Sequence, residues 1–212
     1  MKRIYLIPVL LLVFNISLYS QNNFEGILTF KIKMQDKTGQ MSDDESNLYI
    51  GTEQKYYLKG KKYKSEMNGL LEMKTIHEGK DSIFMMIKGQ DALMFELTNV
   101  ADEKVISYEF KETNEVILGY KCELLEVKTD KGFHKYYFNR NFKNGPDSYE
   151  NHHMGLWSFF NEKTGGAISL KSISDLEEIK SSMVLISIEN KELEDSIFTK
   201  PKGFPILKMP KD

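Results

Sequence analysis

Cysteine and arginine are scarce in this chain of 212 residues. Cysteine occurs once, at Cys122, so the protein cannot form an intramolecular disulfide and its fold must depend on burial and hydrogen bonds. Arginine occurs only at Arg3 and Arg140. Because the forked guanidinium group builds bidentate clamps for phosphate and carboxylate groups, an anion site made of several arginines is excluded.

Sequence motifs of common enzymes and cofactor sites are missing as well. The chain contains no glycine-rich phosphate loop, no G-x-S-x-G nucleophile elbow, and no H-E-x-x-H or C-x-x-C pair. His152 and His153 are adjacent, but neighbouring side chains diverge on a helix or a strand, so the pair does not predict a metal site. We therefore predict no cofactor, no metal and no catalytic residue. The formal net charge of −2 argues against nucleic acid as a partner.

The N-terminus has the pattern of a secretory signal peptide. Lys2 and Arg3 are followed by an apolar run at residues 4–14, and Ser20 offers a small residue for cleavage. We therefore expect a signal peptide at residues 1–20 and a single mature domain at residues 21–212, without a transmembrane segment. An exported protein of this kind is expected in the periplasm, with secretion to the extracellular space as the alternative.

Apolar and polar residues alternate along most of the remaining chain, which is typical of β-strands with one buried face. The alternating runs and the turns between them predict a mainly β protein with about ten antiparallel strands, the longest at residues 114–128. A stripe of apolar residues at helical spacing predicts one helix over residues 149–161. Residues 35–46 are expected to form a polar loop. Ser174 and Glu177 predict a capping box for a short helical turn.

The predicted sheet has more apolar surface than one short helix can cover. Because an apolar sheet face cannot stay in water, we expect a curved, incomplete β-barrel that one or two short helices close over an apolar pocket. Filling of the core is the alternative explanation for the same side chains. Ten side chains are predicted to face the pocket and to contact an apolar ligand: Phe30, Tyr56, Leu58, Met73, Phe84, Met86, Phe95, Tyr108, Phe138 and Trp157.

Four short stretches, at residues 24–30, 56–62, 117–123 and 196–204, occur in an order that resembles an exported bacterial family of unknown function. Members of that family are similar to the periplasmic lipoprotein carriers LolA and LolB. The resemblance implies a curved, incomplete β-barrel, closed by helices over a pocket that shields acyl chains. No ligand-contacting residue of a carrier maps onto a specific position of this sequence.

Taken together, the residues and the resemblance predict a non-enzymatic binding protein of the cell envelope that holds a lipid, an acyl chain or another apolar ligand. The alternative is a structural or interaction module whose lysine-rich hairpin, at residues 59–64, binds another envelope protein. Cys122, His77 and His134 are expected to be buried structural residues. A hydrolytic activity is the third hypothesis, and a polar cleft in which His, Asp and Ser come together would favour it.

Overall fold

The computed structural model describes residues 23–209, so the predicted signal peptide at residues 1–20 lies outside the described residues. Over the described range the chain is mainly β and forms one curved, open sheet of twelve strands. The strands are β1 (Glu25–Asp36), β2 (Glu53–Lys59), β3 (Lys62–Met67), β4 (Lys74–His77), β5 (Ser82–Met86), β6 (Leu93–Leu97), β7 (Val105–Ile117), β8 (Tyr120–Thr129), β9 (Gly132–Lys143), β10 (Ala167–Leu176), β11 (Ile179–Asn190) and β12 (Ile206–Lys208).

The strand order is β12-β6-β5-β4-β3-β2-β1-β11-β10-β9-β8-β7. Each neighbouring pair is antiparallel except β12 and β6, which run parallel. The chain thus lays down one half of the sheet from β1 outward to β6. It then starts the other half at the far edge with β7 and returns to the centre, where β11 pairs with β1. The predicted meander and the curved open sheet are confirmed, with two more strands than expected.

The boundary between β7 and β8 lies inside the predicted strand 114–128, so the prediction of a single strand there was wrong. Leu118 and Gly119 both have positive φ angles, of 48° and 85°, and connect β7 to β8 as a two-residue hairpin. Turns of this handedness match the twist of the flanking strands, and they normally take Asn or Gly at both positions. Because Leu118 is not a typical turn residue, the sequence did not predict this turn.

Two helices accompany the sheet among the described residues: α1 (Asp43–Tyr49) and α2 (Trp157–Thr164). Helix α1 lies partly in the segment expected to be a loop, and it begins with a capping box between Ser42 and Glu45. Helix α2 is shorter than the predicted helix 149–161. Gly155 and Leu156 have φ angles near 60°, so the chain makes only a 3-10 turn at Met154–Leu156 before α2 starts.

Residues 144–166, here called the lid segment, connect β9 to β10 and carry α2. The segment begins and ends at one point, since the Asn144 N–H donates to the Gly166 carbonyl at 2.9 Å. A Cβ atom on Gly166 would lie 2.2 Å from the carbonyl carbon of Gly145, so only glycine permits this approach. Packing of the lid segment on the sheet forms much of the core, which includes Phe138, Leu156 and Phe160.

The opposite face of the sheet is also covered over part of its area. A second 3-10 turn, at Asp195–Phe198, packs against this face, and Phe198 is 1% exposed. Lys200, which follows the turn, lies 4.2 Å above the ring of Phe84 on β5. The prediction of a sheet with a single apolar face therefore does not hold at β4 and β5, where buried residues lie on both faces.

Candidate functional site

A cavity of about 280 Å³ lies between the lid segment and the centre of the sheet. Strands β1, β2, β9, β10 and β11 contribute its floor, and residues of the lid segment contribute its roof. Its lining includes Leu28, Phe30, Tyr56, Leu58, Tyr136, Asn144, Tyr149, Trp157, Ala167, Ser172, Ser174, Ser181 and Met183.

One end of the cavity is apolar and aromatic. The ring of Phe30 on β1 lies 5.8 Å from that of Tyr56 on β2 in an edge-to-face arrangement. In the roof, Trp157 lies 6.2 Å from Tyr56 and 4.8 Å from Tyr149. Leu58 completes this end from β2. Rings in these arrangements form stiff walls, because tilted and edge-to-face contacts are the favoured geometries for aromatic pairs.

Asn144 fixes the roof and leaves one polar atom without a protein partner. Its amide nitrogen donates to the Gly60 carbonyl at 2.7 Å and to the Tyr149 hydroxyl at 3.1 Å. The residue is 1% exposed and lines the cavity, and its Oδ1 accepts no hydrogen bond from the described residues. A buried acceptor of this kind costs free energy until a donor reaches it.

Behind the aromatic end, His152 anchors the lid segment to the sheet. Its Nδ1 lies 3.2 Å from the Met154 carbonyl and its Nε2 lies 3.0 Å from the Tyr63 hydroxyl. Because a carbonyl only accepts, Nδ1–H donates to Met154 and Nε2 accepts from Tyr63. Burial, followed by the nearby His77, lowers the pKa of His152 to about 4. The imidazole is therefore neutral at pH 7.

The other end of the cavity is polar. Ser172 and Ser174 lie two residues apart on β10, and Ser181 on β11 pairs directly with Ser174. All three line the cavity together with Tyr136 of β9. Burial raises the pKa of the Tyr136 phenol, and the nearby carboxylates add to this shift, so the phenol keeps its proton and remains a donor.

Ser174 contacts a histidine, which in turn contacts a carboxylate. The Ser174 Oγ lies 2.9 Å from Nδ1 of His134, and Nε2 of His134 lies 2.8 Å from Oε2 of Glu103. The side chains of His134 and Glu103 are each 5% exposed. Burial pushes the pKa of Glu103 upward, but hydrogen bonds from His134 and Thr129 outweigh it and hold that pKa below its ordinary value. Glu103 is thus a buried carboxylate.

Four of the ten residues predicted to contact a ligand line the cavity: Phe30, Tyr56, Leu58 and Trp157. Burial raises the pKa of Tyr56 to about 12, so its hydroxyl is neutral at physiological pH. Their contact with a ligand stays a prediction.

The structure places the other six predicted residues outside the cavity lining. Phe84 and Met86 of β5 and Phe95 of β6 lie on the opposite sheet face, because Tyr56 shares its face with Met85 through the direct pairs with Ser65 and Thr75. These three predictions of an inward position were wrong. Period-two alternation shows which residues of a strand share a face, but β5 is apolar on both faces.

The remaining three of the six have different surroundings. Met73 is half-buried in the turn before β4. Phe138 is 0% exposed and packs edge-to-face on Phe160, so it fills the core as the alternative explanation proposed. Tyr108 lies on the edge strand β7, is 46% exposed and contacts the ring of Phe159.

The serines at the polar end were not predicted as site residues, and the prediction of a helical turn at Ser174 was wrong. Ser174 lies within β10. The alternation of Ser172, Ile173 and Ser174 was the available signal, since it places both hydroxyls on one face of a strand. No comparable local signal exists for Glu103, which is 31 residues from His134 in the chain.

Two other expectations concern residues outside the cavity. Cys122 is 3% exposed, and burial raises the pKa of its thiol, which fits a structural residue.

In the lysine-rich hairpin, Lys59 and Lys62 form ion pairs with Asp195, and Lys64 pairs with Glu66. Much of the charge that would attract an acidic partner is therefore neutralised within the chain.

Among residues 23–209, no group of three or more His, Cys, Asp and Glu side chains is arranged to hold a metal ion. In the same part of the chain, no helix combines the length and the apolar composition needed to cross a membrane.

Comparisons with known proteins give distant structural neighbours. No protein-family model and no curated protein matches the chain. Two crystal structures of PNGF-II are similar to it, with identities of 16% and 15% and TM-scores of 0.42 and 0.45. The similar region covers 86% and 87% of this chain but only 31% and 32% of PNGF-II, so the chain spans about a third of that protein's length.

A third neighbour is the LolA superfamily protein NE2245 from Nitrosomonas europaea. It has 10% identity and a TM-score of 0.38, over 86% of this chain and 92% of that one. The superfamily named by the sequence resemblance is thus represented among the neighbours. The TM-scores of all three neighbours lie below 0.5.

Proposed function

We propose that this protein binds an amphiphilic molecule with a single medium-length acyl chain in the cavity beneath the lid segment. The observation that carries the proposal is the two-ended lining. Phe30, Leu58 and Trp157 supply apolar walls at one end, and the serines of β10 and β11 supply hydroxyl groups at the other. Ligand sites typically combine a predominantly apolar lining with a few polar groups that fix orientation.

The cavity volume restricts the size of the ligand. A cavity of about 150 Å³ accommodates benzene with its six carbons, so by proportion 280 Å³ accommodates roughly ten carbon atoms. This volume suits one acyl chain of medium length and is too small for a diacyl or triacyl lipid. The unpaired Oδ1 of Asn144 adds an acceptor for a ligand hydroxyl or amide group.

We also propose where the protein acts and that its role is binding. The basic and apolar residues 1–20 support export, so we propose that the protein acts in the periplasm or outside the cell as a binder rather than as a membrane-embedded protein. The lysine-rich hairpin gives less support to the alternative of an interaction module, because its ion pairs are made within the chain.

Trp157 allows a direct test of binding, since it is the single tryptophan of the chain and lines the cavity. Titration with decanoate is expected to shift Trp157 fluorescence, and native mass spectrometry is expected to show one bound acid per chain. Affinity should rise with chain length up to roughly ten carbons and then fall. A flat response from four to sixteen carbons would contradict the proposal.

A matched pair of variants locates the ligand. Ala167 lines the cavity and is 5% exposed, so Ala167→Leu places extra methyl groups in the empty space and is expected to weaken decanoate binding at least about tenfold. Val184 lies on the opposite face of β11, next to Met183, and Val184→Leu is expected to leave binding unchanged. Equal affinities of the two variants for decanoate would indicate that decanoate binds outside this cavity.

A further inference from the structure

The polar end of the cavity contains the three groups that a serine hydrolase uses. Ser174 exposes its hydroxyl to the cavity, His134 contacts that hydroxyl through Nδ1, and Glu103 contacts the other ring nitrogen. The distances of 2.9 and 2.8 Å lie within the range required for proton transfer from a nucleophile to a base.

The contacts define which nitrogen of His134 carries the proton. A carboxylate only accepts hydrogen bonds, so in the neutral form of His134 Nε2–H donates to Glu103 and the lone pair of Nδ1 faces the Ser174 hydroxyl. This is the tautomer that a general base needs. The roles of the two nitrogens are reversed relative to the well-known serine protease triad, but triads are recognised by geometry and roles and not by position.

The geometry points to Ser174 as the nucleophile of an ester hydrolase, with His134 as its general base and Glu103 as the positioning residue. The substrate class is a carboxylic ester of a medium-chain acyl group, whose chain lies along the aromatic end of the cavity. This inference rests on the proposed acyl-binding role of the cavity and adds a reaction to it.

The reaction balances with water as the second reactant. The Ser174 Oγ bonds to the ester carbonyl carbon while its proton passes to Nδ1 of His134. The carbon–oxygen bond to the alcohol then breaks, and the alcohol oxygen takes that proton. A water molecule next gives a proton to Nδ1 and bonds to the acyl carbon. The Ser174 Oγ leaves and recovers the proton, so the products are a carboxylic acid and an alcohol.

We assign the stabilisation of the oxyanion that forms on the carbonyl oxygen to the neighbouring hydroxyl groups of the polar end. Ser181 pairs directly with Ser174 across β10 and β11, and Ser172 is two residues away on the same face. Tyr136 pairs with Ser172 and stacks on His134, with ring centroids 6.0 Å apart. Hydroxyl donors stabilise a developing negative charge most effectively where water is excluded.

Purified protein is tested with p-nitrophenyl decanoate and with a fluorophosphonate probe. We expect hydrolysis of the ester and a covalent adduct of one probe per chain, mapped to the peptide that contains Ser174. Ser174→Ala is expected to abolish the adduct and to lower turnover on the order of a thousandfold. The control is Ser182→Ala, which removes a hydroxyl from the opposite face of β11 and is expected to keep both signals.

Glu103→Gln tests the positioning role, because it keeps the size of the side chain and removes its charge. Turnover is expected to fall a hundred- to ten-thousandfold, roughly the contribution of general base catalysis, and the pH profile of probe labelling is expected to change. Circular dichroism of each variant identifies any loss of fold, and decanoate binding is measured on the same samples.

The outcomes separate this inference from the proposed function. Decanoate binding without turnover and without labelling would overturn the hydrolase assignment and leave the binding function in place. Turnover that survives in Ser174→Ala would also overturn it. Absence of both binding and turnover in the folded protein would remove the two proposals together.

Discussion

Acidification from pH 7 to pH 5 is expected to destabilise the protein through His152. This side chain is 2% exposed, and both ring nitrogens have partners that suit the neutral form. Protonation at Nε2 replaces the acceptor of the Tyr63 hydroxyl with a second donor. It also puts a positive charge beside His77, whose own pKa burial lowers.

The magnitude follows from the pKa of about 4 in the folded protein and 6.5 in the ordinary state. Because the folded pKa is depressed, the unfolded chain binds the proton first. The contribution of neutral His152 to stability is fully present above pH 6.5 and is lost as the pH falls towards 4. With about 1.4 kcal/mol for each pH unit across this window, the loss from pH 7 to pH 5 is about 2 kcal/mol.

Urea unfolding at both pH values, followed by circular dichroism and Trp157 fluorescence, measures this loss. His152→Gln keeps a polar side chain that does not titrate. We expect the free energy of unfolding of the unmodified protein to fall about 2 kcal/mol further between pH 7 and pH 5 than that of the variant. His153→Gln, at the exposed neighbour, is the matched control and should behave like the unmodified protein. Equal losses in the unmodified protein and His152→Gln would refute the reasoning.

Two further predictions concern the core and the β7–β8 turn. Phe138→Ala is expected to lower the free energy of unfolding by about 3 to 5 kcal/mol, because the ring is 0% exposed and its loss leaves a cavity. Chemical denaturation measures this, and a cost no greater than that of Tyr108→Ala at the exposed edge would contradict it. Leu118→Gly is expected to stabilise the protein by about 1 kcal/mol, because Leu118 has a φ angle of 48°, which glycine adopts without strain. A lower melting temperature for this variant would count against the strain.

The sheet and the pocket were predictable because their signals are local. Alternation along β1 places Leu28, Phe30 and Ile32 on one face whatever the strand pairs with, and all three are buried. The excess of apolar surface over the expected cover predicted a hollow beneath the helical segment, and the cavity lies there. Gly165 adopts a left-handed conformation directly after α2, which is common for glycine at the end of a helix.

The errors arose where local signals were ambiguous. Strand β5 is apolar at four consecutive positions, so its pattern does not say whether Phe84 or Met85 lies on the same sheet face as Tyr56. The pairing of β5 with β4 determines which of the two side chains lies on that face. The register of this pairing cannot be predicted from the sequence of β5. Leu118 occupies a turn position that usually holds Asn or Gly, so the boundary between β7 and β8 was not predicted.

Local periodicity is sufficient to specify many short strands and one helical segment, because strand and helix patterns depend on residues only a few positions apart. The meeting of Glu103, His134 and Ser174 at one end of the cavity depends instead on the three-dimensional fold. Residues 103 and 134 are 31 positions apart, and residues 134 and 174 are 40 apart. Their contact depends on β9 and β10 pairing in one register, and a shift of one residue would turn Ser174 to the opposite face.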